Sequence, residues 1–264
     1  MVPITYVPIF DDVRLTIRQT VKTKRSDVTG CCLLPDGRMF FSCYDSGQIT
    51  VTKTNGTLDF TLQQGVCTSH IHFIEESQKL FVTTGCYNIY IQNIDMKKRK
   101  TEYSINVGSE NYGIVHKDGK LFYNGGSCGL CVVNLDNNSV TQLVNGPLSE
   151  YSSIAIWSDN LYFINNDDSV TCCDLQGGIK WKFKNKSFLQ TARSITVHNY
   201  GRVYVSGNKF HNVVVISPDG NTLRVLLSKN DGLYNPQSLC FDRKNNKLLV
   251  ANKQYDAILC DVSK

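Results

Sequence analysis

The sequence predicts an all-β chain folded as a six-bladed β-propeller of four-stranded antiparallel blades, and three observations carry that reading. A hydrophobic-aromatic triplet behind a polar turn recurs as Met39-Phe40-Phe41, Leu80-Phe81-Val82, Leu121-Phe122-Tyr123, Leu161-Tyr162-Phe163, Val203-Tyr204-Val205 and Leu248-Leu249-Val250. The intervals between first residues are 41, 41, 40, 42 and 45, a period that marks radially or linearly repeated units. No long stretch places apolar residues at i, i+3, i+4 and i+7, so no substantial helix is expected. Strand counting, finally, leaves one strand over at one end of the chain and one missing at the other.

In chain order, residues 1–12 are expected to form an N-terminal extension and 13–264 one propeller domain. Val13, Leu15, Ile17 and Val21 alternate in VRLTIRQTV and predict a strand that precedes the first complete unit. Each unit then repeats short apolar runs bounded by Gly, Asn, Asp and Ser. In the fifth these are RSITVHN, VYVSG, NVVVIS and TLRVLLS, separated by turns such as YGR and PDGN. The last unit supplies PQSLCFD, KLLVAN and AILCDV and stops one strand short. Pairing the opening strand with it closes the ring and removes an unpaired sheet edge. Radial packing of such sheets buries both faces of every blade.

Composition narrows the classes. Hydrophobic residues make up 41% of the chain, enough for a large core and too many for a disordered segment. The balance of 28 Lys and Arg against 23 Asp and Glu gives a net charge of +5. No window approaches a membrane-spanning apolar run, and Met1 to Phe10 carries two prolines with no basic n-region, so no membrane partner and a cytoplasmic location are expected. The 11 cysteines are odd in number and irregular in spacing, and pairs such as Cys31-Cys32 and Cys172-Cys173 sit in apolar runs where reduced thiols act as small core hydrophobes. Cys128 and Cys131 have C-x-x-C spacing, but no second pair accompanies them and Cys131 opens an apolar strand, so they too are assigned to packing. The basic run Lys97 to Lys100 reads as a solvated turn.

The turns PDGR (35–38) and PDGN (218–221) and the segment YNPQSLCFD (234–242) resemble the NHL repeat, and the chain is similar in unit order to the C-terminal propeller of tripartite-motif (TRIM) proteins. Ser238 stands where the repeat's opening motif has Gly, and several blades lack its Pro and closing Asp. The resemblance implies a recognition domain that recruits substrates to a ubiquitin ligase through one face of the propeller. It also implies that proteins and RNA are both eligible partners.

Two loop sets should share that face: those joining each outer strand to the next inner strand, and those between the second and third strands of each blade. They carry Arg25, Tyr44, His70, Tyr87, Tyr112, Tyr151, Arg193, Lys209, Phe210, Tyr234, Lys253 and Tyr255, which are the expected partner-binding residues. Aromatic and cationic side chains serve protein interfaces and base stacking alike. Cations gather as Lys22, Lys24, Arg25 and Lys253, and again as Lys184, Lys186, Arg193 and Lys209, with Glu110, Glu150, Asp167 and Asp168 opposite. A phosphate backbone favours a continuous basic track, so this two-signed face points first to a protein or peptide, with single-stranded RNA as the alternative. A third reading is a calcium-dependent, hydrolase- or lactonase-like propeller. Asn124, Asn165, Asn208 and Asn252, with Glu110 and Glu150, are the hard oxygen ligands it would use. Asn after a strand is also an ordinary turn residue, and no general base is evident beside such a metal. The expectation is therefore a non-catalytic module with no metal and no cofactor.

Overall fold

A computed structural model describes residues 10–85 and 88–263. After a short 3-10 turn (Phe10–Asp12), the chain forms β1 (Leu15–Lys22) and then blade one: β2 (Val28–Leu33), β3 (Met39–Cys43), β4 (Gln48–Thr52) and β5 (Leu58–Gln63). Blade two is β6 (Ile71–Ile74), β7 (Lys79–Thr83), β8 (Tyr90–Asp95) and β9 (Lys100–Asn106); blade three is β10 (Ile114–Lys117), β11 (Lys120–Asn124), β12 (Leu130–Asn134) and β13 (Val140–Val144). Blade four comprises β14 (Ile154–Trp157), β15 (Asn160–Ile164), β16 (Val170–Asp174) and β17 (Ile179–Phe183), and blade five β18 (Ala192–Val197), β19 (Val203–Gly207), β20 (Asn212–Ile216) and β21 (Leu223–Leu227). Blade six contributes β22 (Pro236–Asp242), β23 (Lys247–Asn252) and β24 (Asp256–Val262), and its fourth strand is β1, in the order β1-β24-β23-β22. The architecture is thus the six-bladed, all-β propeller that the repeats predict.

Burial explains why the repeats are legible. The triplets lie on the second strands, which neighbouring blades cover on both faces, so their residues are apolar without alternation. The outer strands β5, β9, β13 and β17 are mostly exposed, and all but β13 carry charge. The basic turn before β9 folds onto neighbouring groups: Lys98 pairs with Asp95 at 3.6 Å, and the Arg99 guanidinium sits 3.8 Å from the Phe60 ring centroid.

At the seam, β1 pairs antiparallel with β24 from Leu15↔Val262 to Lys22↔Asp256, with a bulge between Ile17 and Gln19. Simple alternation would bury Ile17. The bulge reverses facing partway along the strand, so Val13 packs into the core shared with blade five and Val21 into the core shared with blade one, while Ile17 is 42% exposed.

The six inner strands touch in a closed ring around the channel. Their channel-side backbone groups have no sheet partner, and serine side chains supply one. Ser238 Oγ accepts from the Cys31 amide at 2.9 Å, Ser194 Oγ from the Leu239 amide at 2.9 Å, and Ser153 Oγ from the Ile195 amide at 2.7 Å. Each bond joins one blade to the next. Between blades three and four there is no room for a side chain at one point: a Cβ at Gly113 would lie 2.4 Å from Ser153 Cα and 2.5 Å from Ile154 N, both backbone atoms. Gly113→Ala must therefore push two blades apart, and we expect it to cost at least about 2 kcal/mol, roughly 4–8 °C in Tm. An unchanged melting curve would show that the blades separate freely there.

Candidate partner-binding mouth

Inner strands begin at one end of the channel, and at that mouth three tyrosines and an arginine form one stack. The rings of Tyr44 and Tyr151 meet edge-to-face with centroids 5.4 Å apart, Tyr112 meets Tyr151 at 5.2 Å, and the Arg193 guanidinium lies 5.7 Å from the Tyr151 centroid. Tyr44 stands on the β3–β4 turn, Tyr112 and Tyr151 just ahead of β10 and β14, and Arg193 is the second residue of β18. Two backbone features allow this convergence. Gly85, at φ 75°, lets Tyr44 pack where a Cβ would lie 2.9 Å from its ring. Tyr151 itself has φ 57°, a left-handed conformation uncommon for a bulky residue, which directs its ring across the mouth.

A cavity of about 350 Å³ opens beside the stack, bounded by Asp27, Tyr44, Asp45, Tyr151, Arg193 and Lys253. Its charge is mixed: Lys253 Nζ lies 3.8 Å from Asp27 Oδ1, and Arg193 donates to the Glu150 carbonyl at 3.0 Å. Arg193 Nε is buried with no acceptor among the described residues. Below it His70, 4% exposed, lies beside the Ser69 hydroxyl, its Nδ1 3.2 Å from Oγ, while its buried Nε2 has no partner among the described residues. Burial, then the Arg193 charge, push the His70 pKa down to about 3, so the ring is neutral near pH 7. The cavity itself offers an incoming segment the Tyr44 and Tyr151 rings, the Lys253 ammonium and the Asp27 and Asp45 carboxylates.

The sequence-predicted residues divide into three groups. Tyr44, Tyr151, Arg193 and Lys253 converge on the cavity, with Tyr112 fully buried behind them and His70 at the head of the channel, so these last two present no rim surface. Tyr234 stacks on His211 at 5.2 Å on another part of this end, 41% exposed, with Phe210 and Lys209 nearby and exposed; Tyr255 and Arg25 are exposed outside the cavity. Tyr87 lies outside the described residues. Sequence reasoning does not single out Asp27 or Asp45, although Asp45 adjoins Tyr44 and Asp27 lies two residues from Arg25.

Two further expectations change in detail. The acidic groups opposite the cations are locally engaged: Asp167 pairs with Lys184 at 2.6 Å, which holds its carboxyl well below the usual range, and Asp168 accepts from the Thr191 and Ala192 amides at 3.0 and 2.9 Å. The recurrent asparagines clamp loops to blades. Asn124 Oδ1 accepts from the Gly126 amide at 2.9 Å and its amide donates to the Ser149 carbonyl at 2.8 Å; Asn252 Oδ1 accepts from the Tyr234 amide at 3.0 Å. Among the described residues, no three His, Cys, Asp or Glu side chains gather closely enough to hold a metal ion.

No known family model matches the sequence, and no curated protein does. Solved structures match the fold widely, in 1590 chains, so the fold alone selects no function. One is a structural genomics protein of unknown function from Bacteroides thetaiotaomicron, 12% identical, with a TM-score of 0.74 over 94% of this chain and 72% of that one. Another is virginiamycin B lyase from Staphylococcus aureus, 15% identical, with a TM-score of 0.67 over 95% of this chain and 99% of the lyase. Both likenesses are of fold.

Proposed function

We propose that the protein is a non-catalytic recognition module that binds a protein or peptide segment at the tyrosine-lined mouth. The observation that carries this reading is the left-handed backbone of Tyr151 at the centre of the Tyr44–Tyr151–Arg193 stack. Strained backbone persists where surrounding structure enforces it, and such residues cluster at ligand sites. Rigid rings placed in advance also reduce the ordering cost of binding. The carboxylates of Asp27 and Asp45 on the same wall favour a peptide, whose charges are mixed, over a phosphodiester chain, whose charges are all negative.

The NHL-like segments support a substrate-recruiting role of the kind TRIM-type propellers perform. The ten described cysteines, all free thiols, support a reducing, cytoplasmic setting. A second reading, single-stranded RNA, rests on the exposed Tyr234–His211 stack beside Lys209 and Phe210, which has the chemistry of a base-stacking platform.

Selection from a displayed peptide library, followed by titration of the enriched peptides, separates the two. Tyr151→Ala is expected to weaken peptide binding at least about tenfold while leaving the fold intact, with modest salt dependence. Undiminished affinity in that variant would place the peptide elsewhere. Oligonucleotide binding that falls steeply with salt and depends on Tyr234 and Lys209 would move the function to RNA.

A further inference from the structure

The channel contains a feature that the mouth does not use, at the seam between blades six and one. Cys32 on β2 pairs across its sheet with Phe40, and Cys240 on β22 with Leu249, so both occupy one channel layer with His72, Val115, Ala155 and Thr196 from the other inner strands. Both thiols are only partly covered and line the channel cavity of about 170 Å³. They sit side by side at the seam: Cys240 Sγ accepts at 3.2 Å from the amide of Leu33, the residue next to Cys32. Arg243 crosses the far end of the channel, where its guanidinium donates to the carbonyls of Ile156 and Val197.

We propose that Cys240 and Cys32 form an oxidant-sensitive pair that closes to a disulfide across this seam when a hydroperoxide enters the channel. The Leu33 amide and the nearby Arg243 cation favour the thiolate of Cys240, the nucleophilic form. The pKa of Cys240 is correspondingly lowered, by the Cys32 hydrogen bond first and with Arg243 contributing, against burial and the Asp242 charge. Burial instead raises the neighbouring Cys31 thiol, and it pushes those of Cys43, Cys173 and Cys260 up to about 12.

In the first step the Cys240 thiolate attacks the terminal peroxide oxygen. An S–O bond forms, the O–O bond breaks, and the departing alkoxide takes a proton from water, leaving a sulfenic acid and an alcohol. The Cys32 sulfur then attacks Cys240 Sγ; the S–S bond forms, the S–O bond breaks, and hydroxide leaves with the Cys32 proton as water. Two electrons pass from the sulfurs to the peroxide, and a thiol reductant reverses the change. The product would join β2 to β22 covalently, where the inner ring is otherwise held by side-chain bonds such as Ser238 to the Cys31 amide.

The test treats the reduced full chain with hydrogen peroxide and maps its peptides under non-reducing conditions. The expected product is a cross-link between the peptides bearing residues 32 and 240. Because Cys31 adjoins Cys32, C31S is mapped in parallel and should retain the link. In C32S, Cys240 should be trapped by a sulfenic-acid probe, while C240S should lose both link and trapping. C240S should still fold, since a serine there can accept from the Leu33 amide as Ser238 does from that of Cys31. Oxidation confined to exposed Cys128, loss of the link in C31S, or unchanged oxidation of Cys32 in C240S would each overturn the proposal.

Discussion

A chain lacking residues 1–22 is expected to lose cooperative folding, because the deletion takes away β1, the outermost strand of blade six. β1 pairs with β24 along its length, and the junction is extended by the Ser263 amide donating to the Arg14 carbonyl at 2.9 Å and the Arg14 amide to Ser263 Oγ at 2.8 Å. Val13 and Val21 are both essentially inaccessible, worth about 1.5–3 kcal/mol each, and every ladder hydrogen bond adds about 1 kcal/mol. Together these rival the roughly 5–15 kcal/mol by which a domain is stable. Deletion also exposes the backbone of β24 as a flat edge, which favours aggregation. Circular dichroism melts and size-exclusion chromatography should show a broadened or absent transition and aggregates. A synthetic peptide of residues 10–24 added in trans should restore part of the transition. A truncated chain that melts sharply at the original temperature would mean the ring holds without its seam.

The second strands were readable because burial on both faces leaves an unbroken apolar imprint at a fixed interval. Val13 and Val21 show what such a pattern misses: they share one parity in the sequence, yet the bulge between them sends their side chains into the cores of different blade pairs. The mouth was legible as a set of aromatic loop residues but not as a site. Tyr44, Tyr112 and Tyr151 come from blades one, three and four and meet across the channel, so only ring geometry joins them. Depth was equally hidden, since nothing local distinguishes fully buried Tyr112 from exposed Tyr255. Cys32 and Cys240 stand at opposite ends of the sequence and are neighbours solely because the propeller closes. Sequence periodicity reports what each blade buries; it does not report which blades face one another.

Acidification from pH 7 to 5 is expected to remove a large share of the stability, through buried His70 and His198 and half-buried His72 on the channel wall. Burial is the leading cause in each case. His70 is pushed down to about 3, and His72 and His198 to about 4, the last two further depressed by His116 and Arg243 and by Arg202 and Arg243 respectively. The unfolded chain takes up these protons near pH 6.5, well before the native state does. Between about pH 6.5 and 4 the unfolded state therefore binds more protons, and stability rises with pH. Above pH 6.5 no such penalty operates; below it each group costs about 1.4 kcal/mol per pH unit until its native pKa is reached. At pH 5 that is about 2 kcal/mol each, on the order of 6 kcal/mol in all. Carboxylates held low by partners, such as Asp167 beside Lys184, act below pH 4 and are mostly exposed, so they leave this window to the histidines. Urea denaturation at pH 7.5, 6 and 5 should show the midpoint falling steeply between the last two. His198, whose ring packs 4.8 Å from that of Phe241, offers the separate control: His198→Gln should lower stability at pH 7.5 and flatten the pH slope by about a third, one of three comparable contributions. A midpoint independent of pH across this range would mean that the three rings are protonated without unfolding.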